Sequence, residues 1–103
     1  MKWFISMPMR GKSAEQIKAE REKIAAAILS RSPEDEVIDS FHKDYEPCDG
    51  NRAMKFLARS IDKLADADIA YFTKDWADAR GCRIEHEIAE AYGLTVVEDY
   101  REG

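Results

Sequence analysis

Gly81, Glu85 and Ala89 follow one another at four-residue steps, so in a helix they share one face, and that face is small except for a single carboxylate. Glu87 and Glu90 are displaced around the same helix toward solvent. With Ile84 and Ile88 packed on a sheet, Glu85 stands beside the apolar stripe and can project into a cleft. By spacing alone it reads as a solvated helix glutamate, which most are. Arg10 and Gly11 lie just ahead of a helix N-terminus, where free backbone amides, the positive end of the helix dipole and a guanidinium together can hold a phosphate or carboxylate. The same pair also reads as a tight turn with a solvated arginine. Trp76 offers a ring for stacking on a base, or for packing against its own fold. Cys48, Cys82, His42 and His86 show neither a CxxC pair nor a metal-ligand spacing, so reduced thiols and no metal or other cofactor are expected.

The elements that must position these residues alternate regularly. Residues 2–6 form a short apolar run closed by Pro8 and Gly11, which predicts a buried strand and a loop. Ser13 opens a capping box with Gln16, and Ile17, Ile24 and Ile28 recur at helical spacing, predicting a helix over about 14–29. Ser32-Pro33 breaks the pattern, and 36–39, with Val37 and Ile38, suits a short second strand. Residues 40–50 have no clear period and predict a long loop. Asn51 caps a second helix to about Ala67, with Ala53, Leu57, Ile61, Leu64 and Ala65 as its stripe. Residues 68–72 predict a third strand with an exit loop over 73–78. Ile84, Ile88 and Tyr92 mark a third helix from about Ala79, closed by Gly93, and 94–97 a fourth strand.

Strands alternating with helices imply an α/β fold with a parallel sheet covered on both faces and right-handed crossovers. The order 2-1-3-4 is the simplest doubly wound arrangement. Its winding reverses between the first and third strands, where such sheets bind ligands. The loops over 7–11 and 74–81 converge there.

The 103 residues fit one domain, 1–103, large enough for a core without disulfides. No window is apolar enough for a membrane span, and no secretory or transit segment is recognisable, so a cytoplasmic location is expected. A net charge of −5 repels a polyanion, which argues against nucleic acid as a partner.

Ile5-Ser6-Met7-Pro8-Met9-Arg10-Gly11 after the first strand, Ala67-Asp68 at the third, Trp76, and the run from Ala79-Arg80-Gly81-Cys82 through Glu85 to Ala89 together resemble the nucleoside 2-deoxyribosyltransferase superfamily. The similarity spans nearly the whole chain and is nearest to short bacterial and phage members sharing the Gly-Cys-x-x-Glu signature. It implies a small flavodoxin-like (Rossmann-like) three-layer fold with four to five strands. It also implies cleavage or base exchange at the N-glycosidic bond of a nucleoside or nucleotide, with Glu85 as nucleophile. The substrate would be lined by Ser6, Met7, Met9, Arg10, Gly11, Trp76, Ala79 and Gly81. A non-catalytic nucleotide-binding or sensor module is the alternative.

Two departures bear on that reading. Nucleotide hydrolases of the superfamily usually carry a serine where Ala79 stands, and an acidic residue of the second helix usually assists where Ser60 stands, Asp62 being the nearest carboxylate. Characterised transferases complete their sites from a neighbouring subunit, so the resemblance implies a homodimer or higher homo-oligomer.

Overall fold

A computed structural model of the chain describes residues 1–9, 11–39 and 50–99. The elements run β1 (Lys2–Ser6), α1 (Ala14–Arg31), β2 (Glu36–Val37), α2 (Arg52–Leu64), β3 (Ile69–Phe72), a 3-10 turn (Trp76–Asp78), α3 (Arg80–Ala91) and β4 (Thr95–Glu98). The four strands form one sheet, all neighbours parallel, in the order β2-β1-β3-β4. This is the expected α/β architecture of a small flavodoxin-like fold, with its winding reversed between β1 and β3. No described helix is long and apolar enough to cross a membrane.

The two-residue alternation of a strand divides the core. Phe4, Ala70 and Phe72 point to the face covered by α2 and α3, where Leu64, Ala67 and Ala89 complete one buried cluster. Ile5 points the other way, onto Ile24 and Ile28 of α1, with Trp3, Val37 and Tyr71 half-buried around them. Ser6 falls on the same face as Phe4, which fixes its role below.

Local chemistry sets the ends. Ser13 and Gln16 form the expected capping box at α1, and the helix runs past Leu29 to Arg31 because the Ser32 N–H still reaches the Ile28 carbonyl at 2.9 Å. Asn51 caps α2 by accepting from the Met54 N–H. That helix ends three residues before Ala67: the Asp68 amide is taken by the Lys2 carbonyl at 2.8 Å, which forces the chain into β3. Pairing of β2 stops at Val37, short of Asp39. Gly93, at φ +77°, closes α3, and the next amide, of Leu94, returns to the Ala89 carbonyl at 2.9 Å. The loop expected over 40–50 lies outside the described residues up to Asp49, as do Arg10, His42 and Cys48.

One expectation is corrected. The buried face of α3 is Cys82, Glu85 and Ala89, while Ile84 and Ile88 are half-buried and Tyr92 is 82% exposed. Ala89 and Ala70 are both fully buried in one cluster. Two methyl-sized side chains let helix and sheet approach closely and leave Glu85 facing inward, while Ile88 packs half-buried against the same cluster.

Candidate functional site

The C-terminal ends of β1 and β3 open into a cleft of about 930 Å³. Met7, Pro8 and Met9 bring one wall from the loop after β1, Phe56, Leu57 and Ser60 another from α2, and Ala79–Gly81 with Glu85 the third from α3. The segment leaving β1 and the second turn of α3 thus face one cavity.

Glu85 lies at the floor, 5% exposed. Ser6, last residue of β1, donates its hydroxyl to Oε1 at 2.8 Å, and Ser60 of α2 donates to Oε2 at 2.5 Å. Each carboxylate oxygen therefore holds one strong, charge-assisted hydrogen bond and keeps a second lone pair for another partner. Burial pushes the Glu85 carboxyl above the ordinary glutamate range, and the two serines and the positive charge of Arg21 pull it back only in part. A carboxylate kept at such a cost beside a cleft is characteristic of working sites.

Arg21 supplies that positive charge from α1. It donates to the Ile5 carbonyl at 3.4 Å, and burial lowers the affinity of its own guanidinium for a proton. Cys82, 4% exposed, lies next to Ser6, and burial raises its thiol to about 11. At neutral pH it is a neutral S–H and not a nucleophile. Lys12 joins the two loops at the mouth, 3.0 Å from Glu20 of α1 and 3.8 Å from Asp75 after β3.

The expected site residues separate into groups. Ser6, Met7, Met9, Ala79 and Gly81 sit with Glu85 and Ser60 around the cleft. Ala79 is the N-cap of α3 and offers no side-chain acceptor to its first amides. Gly11 is exposed at φ +81°, a left-handed turn that glycine adopts without strain, and is not among the lining residues. Trp76 also stays out of the lining: its ring lies against His86 and Phe72. Asp62 is exposed on α2 and away from the cleft, so the hydroxyl of Ser60, rather than that carboxylate, meets Glu85. Tyr71 donates to Asp99 at 2.7 Å on the other face of the sheet.

Arg21 is the charged neighbour of Glu85 that sequence reasoning passed over. It stands four residues after Ile17 and three before Ile24, on the buried stripe of α1, and a charge on such a stripe is the available signal. Compared with family models, curated proteins and solved structures, the chain shows no match, so the site rests on its own geometry.

Proposed function

We propose that the chain cleaves or exchanges the N-glycosidic bond of a nucleoside or nucleotide, with Glu85 as nucleophile. The observation that carries this reading is the buried Glu85 carboxylate, held at both oxygens by Ser6 and Ser60 at the floor of the cleft. An ionised Glu85 oxygen attacks the anomeric carbon; the bond to the base breaks and its electron pair leaves with the base, which takes up a proton. Water or a second base then attacks the same carbon and releases the carboxylate. The transition states are oxocarbenium-like, so a fixed negative charge near the sugar lowers both barriers. The serine hydroxyls orient the carboxylate, which the geometry of displacement requires.

The apolar walls from Met7, Met9, Phe56 and Leu57 suit a flat base, and Arg80 and Arg83 on the same lining bring positive charge to the cleft. By the resemblance noted above, the working form would be a homodimer or higher homo-oligomer.

A second reading is a nucleotide-binding module without turnover. Ala79 at the cap of α3 and a serine opposite Glu85 favour it, since neither supplies a proton to a departing base at neutral pH. One experiment separates the two. The protein is incubated with deoxynucleosides and deoxynucleotides, with and without acceptor bases, and free base is measured. Release that disappears in Glu85→Gln supports the enzyme; calorimetric binding without release, surviving Glu85→Gln, supports the module. Neither release nor binding would sink both.

A further inference from the structure

His86 follows Glu85 directly and faces away from the carboxylate's serine partners. Its ring lies flat on Trp76, centroids 4.0 Å apart and planes 2° apart. Phe72 tilts against both rings, at 4.8 Å from His86 and 5.7 Å from Trp76. Nδ1 is 3.0 Å from Oε1 of Glu90, one turn along α3, and Nε2 is 3.1 Å from Oε1 of Glu98 on β4. The imidazole side chain is 13% exposed.

Carboxylates only accept hydrogen bonds. A ring with two N–H groups satisfies both contacts, whereas a ring with one leaves a nitrogen lone pair facing a carboxylate oxygen. The second proton also gives the ring a positive charge on the face of an indole, which strengthens stacking. The two ion pairs and the stack therefore depend on the same proton. Among the described residues, Glu98 from β4 and Glu90 from the helix itself are the charged groups that pair with the ring; β3 and the 3-10 turn present the uncharged Phe72 and Trp76.

Trp76 is the other end of the lever. Its carbonyl accepts the Ala79 N–H at 3.2 Å, and Asp78, Ala79 and Gly81 line the cleft. We propose that His86 is a positioning residue for the candidate site, and that gain or loss of one ring proton sets how firmly Trp76 holds the Ala79–Gly81 wall. The inference rests on this cleft being the ligand site but not on the glycosidic chemistry, so it is tested without substrate.

In a Trp3→Phe background Trp76 is the sole indole. Its fluorescence is followed from about pH 4 to about pH 9. In parallel, NMR measures exchange of the Ala79 amide, corrected for intrinsic base catalysis. The expected result is a one-proton fluorescence curve, with Ala79 exchange about tenfold faster on its high-pH side, the size set by loss of a charge-assisted contact. In His86→Gln the curve vanishes and exchange is fast throughout. Glu98→Gln, a milder change, speeds Ala79 exchange on the low-pH side alone. A curve that persists in His86→Gln, or Ala79 exchange equal on both sides of it, overturns the proposal. Should His86→Gln not fold, unchanged exchange in Glu98→Gln overturns it alone. Absence of base release leaves these readouts intact and counts only against the glycosidic reading.

Discussion

Replacing Glu85 by glutamine is expected to stabilise the fold while removing its reactive group. In the native protein burial lifts the carboxyl above its ordinary value, so the folded state binds that proton more tightly than the unfolded chain does. Stability then falls as pH rises through the interval between the unfolded and folded values, and the loss is complete above the folded one. At acid pH both states hold the proton and the penalty is absent. Each unit of elevation corresponds to about 1.4 kcal/mol. Against this stand two charge-assisted bonds from Ser6 and Ser60, worth about 1.5–3 kcal/mol each. Glutamine keeps an acceptor for one serine and offers an N–H to the other, whose hydroxyl turns to accept, so each bond drops to about 1 kcal/mol. The upward direction of the shift means that desolvation outweighs the bonds, so the variant gains stability at neutral pH, within the about 0.5–2 kcal/mol that single stabilising substitutions commonly give. For a domain of this size each kcal/mol is about 4–8 °C in Tm. Urea unfolding of both proteins at about pH 7 and about pH 4, on either side of the ordinary carboxylate titration, reads the difference directly. A variant no more stable than the parent at the higher pH, or equally favoured at both, would refute the account of Glu85 as a burdened carboxylate.

Other perturbations test neighbouring parts of the same structure. Ser60→Ala removes the shorter bond to Glu85, worth about 1.5–3 kcal/mol to the ionised form; the carboxyl should titrate still higher by carbon NMR, and an unmoved curve contradicts the contact. In a Cys48→Ser background the Cys82 thiol, raised to about 11, should react with a maleimide at about pH 8 some 10²-fold more slowly than a free cysteine. Denaturant should restore the ordinary rate, and fast native labelling would show the thiol to be open. Ala89→Leu, at a position with no exposed surface, should cost about 1–3 kcal/mol by overpacking, and should depress any base release by more than the distant cap variant Asn51→Ala at matched stability. Asn51→Ala itself should cost about 1 kcal/mol in urea unfolding.

The strand order was legible because apolar runs alternate with capped helices, and each of those signals is local. What sequence left open was rotation. The stripe of Ile84, Ile88 and Tyr92 assigns one face of α3 to the sheet, yet two alanines, Ala70 and Ala89, let the helix come close with Cys82 and Glu85 facing inward. Helix spacing gives which residues share a face; only packing between elements decides which face wins. Trp76 shows the same limit. A loop tryptophan is ambiguous until its neighbour is known, and that neighbour, His86, lies ten residues on and across a helix turn. Ser60 was reached through resemblance, and its hydroxyl contact with Glu85 is a fact of tertiary geometry that no spacing encodes.

Ser6 occupies the final rung of β1, paired in register with Phe72 on the neighbouring strand, and shares a side of the sheet with Phe4. Parity therefore ties reactivity to folding. Sliding β1 by a single residue would swap Ile5 for the hydroxyl beneath Glu85 and evict Phe4 from the interior in the same movement. No misregistered form can be half right, with an intact core and an idle carboxylate. The holder of the charge inherits the durability of a central strand, and thermal fluctuations that fray the rim leave it in place.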